Sequence, residues 1–192
     1  MRKPAPAVTC GMRWFRSRTR FDIRVGIGLL AVGGLAASCG GSHSAGGHSD
    51  GSTTTTTSQA AAVLGSYRAE QAAFGQALRE GNPNLSALDQ TMTGAQLVSV
   101  RRTLVTDQVN GIVGRGSVQL YPKLASISAN QAIVHDCLFS SLELVYASTG
   151  KPVPPVTPPE HDGVQATLVQ VAPGTWKVSD QHTTDGSCPA GY

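Results

Sequence analysis

The sequence predicts an α+β domain in which two or three N-terminal helices pack on a strongly curved antiparallel sheet. Three observations predict it. Between about residues 60 and 110, apolar side chains recur every three or four positions, the period of a helix with one buried face. After Gly111 the pattern changes to alternation, the period of half-buried strands. The helical period does not return, so helices and strands are segregated along the chain, as in two-layer α+β domains.

The first helix is expected over Ala60–Glu80, with Val63, Tyr67, Phe74 and Leu78 on one face. Ser58 is its candidate cap, and Gly81 and Pro83 end it. A short helical turn is expected around Leu85–Asp89. The next long helix starts at Thr93-Gly94-Ala95-Gln96, read as a capping box in which Thr93 accepts from the Gln96 N–H and Gln96 reaches back. Leu97, Val100 or Arg101, Leu104 and Gln108 follow one side, with Val98, Val105 and Val109 adjoining, and Asn110-Gly111 stops it.

Six strands are expected: Val113–Tyr121, Lys123–Ser128, Gln131–Phe139, Leu142–Ala147, Gly163–Val171 and Trp176–Thr183. Ser128-Ala129-Asn130, Ser148-Thr149-Gly150-Lys151 and Ala172-Pro173-Gly174-Thr175 suit tight reversals. Pro122 cannot donate to a ladder and should interrupt or bend the first strand. Pro152–Pro159 reads as a stiff, exposed connection. Trp176 and Val178 alternate onto one face and read as core, as do Tyr67 and Phe74. A sheet that covers two helices must curl around them, making a cone or half-barrel with a pocket in its concavity.

The chain divides into residues 1–38, 39–58 and 59–192. Five arginines in residues 13–24 precede Val25–Ala37, an uncharged run of 13 residues. That is too short for a helix to span a hydrocarbon core of about 30 Å, and its four glycines weaken it further. A basic stretch, a short apolar run and small residues at its end form the pattern of a secretory signal. Leu35-Ala36-Ala37-Ser38-Cys39-Gly40 resembles the bacterial lipobox. The resemblance implies cleavage before Cys39 and a lipid anchor on that cysteine, with leucine four rather than three residues ahead of it. Two acyl chains suffice for stable anchoring. Met12 is an alternative start, and no adjacent arginine pair marks a twin-arginine route.

Gly40–Ser58 has no apolar side chain larger than alanine, so it reads as a disordered tether with an r.m.s. span of roughly 24 Å. Thr53–Thr57 are candidate O-glycan acceptors on composition alone. His43 and His48 lack a third ligand and read as linker, so no metal is assigned to them.

Seven of the fifteen basic and one of the twelve acidic residues precede Cys39, leaving eight and eleven in the rest of the chain. A weakly acidic domain lacks the clustered cations that phosphate binding needs, which argues against nucleic-acid binding.

Of the four cysteines, Cys10 lies in the leader and Cys39 takes the lipid. Cys137 and Cys188 remain as an even pair in an oxidising compartment, read as a structural disulfide that pins the C-terminal tail to the sheet. Closing a loop of this length contributes roughly 4 kcal/mol in the chain-entropy model. A metal pair or a redox pair would more usually show close CxxC spacing.

The order helix–helix–meander resembles the nuclear transport factor 2-like superfamily, which includes SnoaL-like cyclases and proteins without enzymatic activity. Val113 through Asp136-Cys137, the hairpin at Tyr146–Val153 and Gly174-Thr175-Trp176-Lys177-Val178 resemble uncharacterised actinobacterial secreted proteins of this fold, over Tyr67–Cys188. Fold alone does not fix function.

His135 and Asp136 are the candidate catalytic residues. As strand neighbours they point to opposite faces, His135 with Cys137 and Asp136 with Ala132 and Val134. The resemblance implies that an inward Asp136 could serve as general base in a cofactor-free isomerase or cyclase. The structural alternative is that Asp136 holds a backbone N–H or an arginine, Arg101 or Arg102. His161 with Asp162, and Asp180 with His182, read as solvated strand-end pairs. No HExxH, phosphate-loop or GxGxxG dinucleotide motif occurs. The sequence therefore favours a non-catalytic, lipid-anchored envelope module, with no cofactor and no metal. Its expected partners are the membrane through Cys39, a small apolar ligand or an envelope protein, and a second copy across the open sheet face.

Overall fold

Val63, Tyr67, Glu70, Ala73, Ala77 and Leu78 lie at helical spacing, and all are buried along one side of the first helix. The computed structural model describes residues 51–156, 158–184 and 188. Helix α1 spans Gly51–Glu80. It begins nine residues ahead of the expected start, so Ser58 is an exposed residue inside the helix and not its cap, and residues 51–58 are helical and not tether. A polythreonine run has modest helix propensity, but it extends a helix already nucleated by the alanine-rich segment after it. Gly81 ends α1 with φ of 61°, and the Asn82 N–H donates to the Ala77 carbonyl at 2.9 Å.

Helix α2 (Ser86–Thr91) and helix α3 (Gly94–Val109) follow. Thr93 caps α3 with extended backbone but makes no side-chain capping bond, so the capping box is not formed. Its own N–H donates to the Val178 carbonyl at 2.9 Å, and Gln96 is drawn into the interior instead. The buried side of α3 is Gln96, Val100, Leu104 and Asp107, while Val98, Val105 and Val109 face solvent.

The strands are β1 (Ile112–Arg115), β2 (Val118–Gln119), β3 (Lys123–Ile127), β4 (Gln131–Ser140), β5 (Glu143–Tyr146), β6 (Glu160–Ala172) and β7 (Thr175–Thr183). All the ladders are antiparallel. β4 is central, with β6 and then β7 on one side and β2 and β3 sharing the other. β1 and β5 form a separate two-stranded ribbon. The sheet curves without closing into a barrel. Bulges between Leu124 and Ser126, Thr167 and Leu168, and Gln170 and Ala172 increase the local twist.

The expected single strand from Val113 to Tyr121 is broken at Gly116, and the chain leaves the ladder again between Gln119 and Lys123, where Pro122 was expected to interrupt it. Gly116 has φ of 101°, and a Cβ there would collide with the Ser141 carbonyl oxygen. Only glycine lets β1 leave for β5 while β2 joins β4.

Two apolar clusters fill the space between the layers. One joins Val63 and Tyr67 of α1 to Ala132, Val134, Ala166, Leu168, Trp176 and Val178 of the sheet. The other joins Ala73, Ala77 and Leu78 to Leu88, Met92, Val100 and Leu104. The concavity expected to hold a pocket is occupied by the first cluster, because β4, β6 and β7 all turn their apolar positions to α1. Gly116→Ala should lower stability by roughly 2–3 kcal/mol through collision and left-handed strain. Thermal or denaturant unfolding checks this, and a change below about 0.5 kcal/mol would contradict the role of this glycine.

Candidate functional site

Buried polar side chains in an apolar layer require partners, and two such groups lie along α1. The first is Asp136, 1% exposed at the middle of β4, pointing inward with Ala132 and Val134 as strand alternation requires. The Tyr67 hydroxyl donates to its Oδ2 at 2.9 Å, and the Tyr121 backbone N–H donates to its Oδ1 at 2.6 Å. Burial raises its pKa, opposed by these two bonds, by the Cys137 backbone N–H and by the charge of Arg68. Asp136 thus holds a backbone N–H, as the structural alternative expected. The arginine lies elsewhere: Arg101 pairs with Asp89 at 2.6 Å.

The second group was not singled out from the sequence. Glu70, 1% exposed, lies one helical turn beyond Tyr67, between the two apolar clusters. Gln96 donates to its Oε1 at 3.3 Å and Gln71 to its Oε2 at 2.9 Å. Gln71 also donates to Gln181 of β7 at 2.9 Å. Burial pushes the Glu70 carboxyl up to about 7, with the two amides pulling it partly back. The signal was present in the sequence, since Glu70 falls seven residues after Val63 on the same helical stripe. Asp107 on α3 is also buried, with a raised pKa caused by desolvation.

His135 lies on the opposite sheet face, where its Nε2 is 3.1 Å from the Gln165 Oε1. His135 and Asp136 therefore do not converge. Cys137 and Cys188 are joined by a disulfide, with Cα atoms 5.3 Å apart. Asp180 and His182 form an exposed pair at 3.6 Å. Trp176 and Val178 are buried together in the core, as their alternation indicated. Cys10, Cys39, His43 and His48 lie outside the described residues, as do the leader and the first part of the tether. Among the described residues, no helix is long and apolar enough to cross a membrane.

An open depression lies at the tip of the β6–β7 hairpin, lined by Gln59, Asn130, Gln170, Pro173 and Gly174. It is remote from Asp136, which lies near the middle of β4. The Asp136 carboxylate instead has both oxygens occupied by donors inside a packed layer, an arrangement that fixes Tyr67 and Tyr121 against β4.

Among the described residues, three helices followed by a curved, open antiparallel sheet define an α+β domain. No protein-family model and no curated protein matches the chain. Among solved structures, the intermembrane space region of the chloroplast protein ARC6 is similar, with a TM-score of 0.52 at 14% identity over 66% of this chain and 97% of that one. At that identity the likeness is one of fold. A nuclear transport factor 2-like superfamily protein from Salmonella enterica serovar Typhimurium aligns with a TM-score of 0.44 and 10% identity, over 71% of this chain and 96% of that one. A structure from Catenulispora acidiphila aligns with a TM-score of 0.42 and 16% identity, over 65% and 91%.

Glu70 makes stability depend on pH in a defined direction. Below its ordinary value of 4.5 the carboxyl is neutral in both folded and unfolded chains. As pH rises from there to about 7, the unfolded chain releases this proton while the folded one keeps it, so stability falls and then levels off. Glu70→Gln should remove up to roughly 3 kcal/mol of this decline. The variant is then more stable than wild type at pH 8 and close to it at pH 4, with a residual slope of the same sign from Asp107 and Asp136. Denaturant titrations across that range check this, and parallel curves for the two proteins would contradict it.

Proposed function

We propose that the chain is a lipid-anchored module on the extracytoplasmic face of a membrane, whose folded domain acts as a non-catalytic binding surface. Cys39 carries the anchor, and the Gly/Ser-rich segment behind it gives the domain reach and freedom to reorient. The partner is an envelope protein or a small apolar ligand. The observation that carries the non-catalytic reading is the packed concavity: Tyr67, Leu168 and Val178 are fully buried where an enzyme of this architecture would hold substrate. The similar fold of the ARC6 region, which its name places in an intermembrane space, is compatible with a domain held beside a membrane.

One observation favours a second reading, a cofactor-free isomerase or cyclase with Asp136 as general base. Asp136 does point inward, and burial raises its pKa. Its two oxygens are nevertheless already bonded to Tyr67 and Tyr121.

Asp136→Ala separates these readings. A structural carboxylate leaves the Tyr67 hydroxyl and the Tyr121 N–H unsatisfied when removed, so stability should fall by roughly 2–3 kcal/mol. A catalytic one is commonly replaced with no loss, or a gain, of stability. The anchor is tested by expression in a bacterium with fatty-acid labelling. Wild type should take label and enter the membrane fraction, whereas Cys39→Ser should take none and be released. A wild-type protein cleaved away from Ser38–Cys39 and found without label would sink the anchored reading.

A further inference from the structure

We propose that Cys137, Cys188 and His161 form a redox-gated site for Cu(I), available when the disulfide is reduced and closed when it is formed. Both cysteine sulfurs and the His161 Nδ1 lie within 4.8 Å of one another. The Cys137 Sγ is 3.8 Å from that nitrogen. Two donors at about 2.3 Å (sulfur) and 2.0 Å (nitrogen) from a metal in trigonal geometry stand roughly 3.7 Å apart, so this edge already has the span of a coordinated pair.

The sheet produces this placement. In the β4–β6 ladder Cys137 pairs with Gly163 and Phe139 with His161, so His161 is the diagonal neighbour of Cys137 on the same face. Gly163 has no side chain to fill the space between them. The Phe139 ring lies 5.0 Å from the imidazole, tilted by 50°, and restricts its rotation. Cys188 arrives from beyond β7 and completes the set. Cys137 is buried, Cys188 half-buried and His161 exposed, so an ion can reach the site from solvent.

The chemistry balances in two steps. An external dithiol delivers two electrons and two protons to the sulfur–sulfur bond, yielding two thiols and leaving as its own disulfide. Cu(I) then displaces the thiol protons into solvent and bonds to two thiolates and the neutral imidazole, without changing its oxidation state. Soft thiolates select Cu(I) or Zn(II). Among the described residues the group has three members, which satisfies Cu(I), whereas a closed zinc site takes four. Oxidation of the two thiolates by an external disulfide restores the cystine and expels the ion.

The test uses the full-length chain with Cys10→Ser and Cys39→Ser, which leaves Cys137 and Cys188 as its only cysteines. The chain is reduced with dithiothreitol, desalted without oxygen and titrated with Cu(I) against a chromophoric Cu(I) chelator. The reduced chain should take up one Cu(I) with two sulfur neighbours and one nitrogen by X-ray absorption, and the oxidised chain none. His161→Ala leaves the disulfide intact, so its oxidised form should melt like its parent. Once reduced, it should bind Cu(I) at least about tenfold more weakly. His135→Ala, on the same face but outside the cluster, should bind like the parent. Equal uptake by oxidised and reduced chains, unchanged affinity in His161→Ala, or preference for Zn(II) over Cu(I) would overturn the proposal. So would a reduced chain that loses its native circular dichroism and takes up no Cu(I).

Discussion

Helix α1 crosses the sheet with a single buried stripe, and both apolar clusters of the domain are attached to it. Its middle turns meet β4, β6 and β7 through Val63 and Tyr67, and its last turns meet α2 and α3 through Ala73, Ala77 and Leu78. Glu70 lies on the stripe where one cluster gives way to the other. A carboxyl group there must be hydrogen-bonded or neutral, and the amides of Gln96 and Gln71 supply the bonds. Because Gln71 also reaches Gln181, this polar seam ties α1, α3 and β7 together. The position of α3 over the sheet edge follows from it, reinforced by the Thr93–Val178 backbone bond.

Asp136 performs the equivalent task on the sheet side. It fastens Tyr67 of the helix layer and Tyr121, in the segment between β2 and β3, to the central strand. Both buried carboxylates therefore fix geometry between elements distant in sequence. Their raised pKa values arise chiefly from desolvation in a packed interior, which does not itself supply room for a substrate. The opposite sheet face carries different chemistry: a cystine whose Cys137 is buried, with an exposed histidine at its side.

Several elements were legible because they depend on neighbours only a few residues apart. The helical stripe of α1, the Asn110-Gly111 stop and the alternation of β4 and β7 all follow from local period and turn chemistry. The opposed directions of His135 and Asp136 were equally legible, because strand alternation is geometric. Other features depended on context. Thr93-Gly94-Ala95-Gln96 has the composition of a capping box, yet Gln96 bonds to Glu70, because a buried carboxylate is the more demanding partner. Val98, Val105 and Val109 look as apolar as Val100 and Leu104, but only the latter pair faces the core.

The sequence by itself determined the class of the domain, the order of its layers, most strand spans and the opposed directions of His135 and Asp136. These follow from side-chain periods of two and 3.6 residues, which the backbone imposes locally. Tertiary structure alone decided that β1 pairs with β5, that the concavity is filled and that Glu70 is buried. It alone brought His161 beside the Cys137–Cys188 pair, across 24 residues of chain from Cys137. Such outcomes turn on which surfaces meet over long separations, where register, bulges and the volume left by a glycine such as Gly163 set the distances. No local period carries that information.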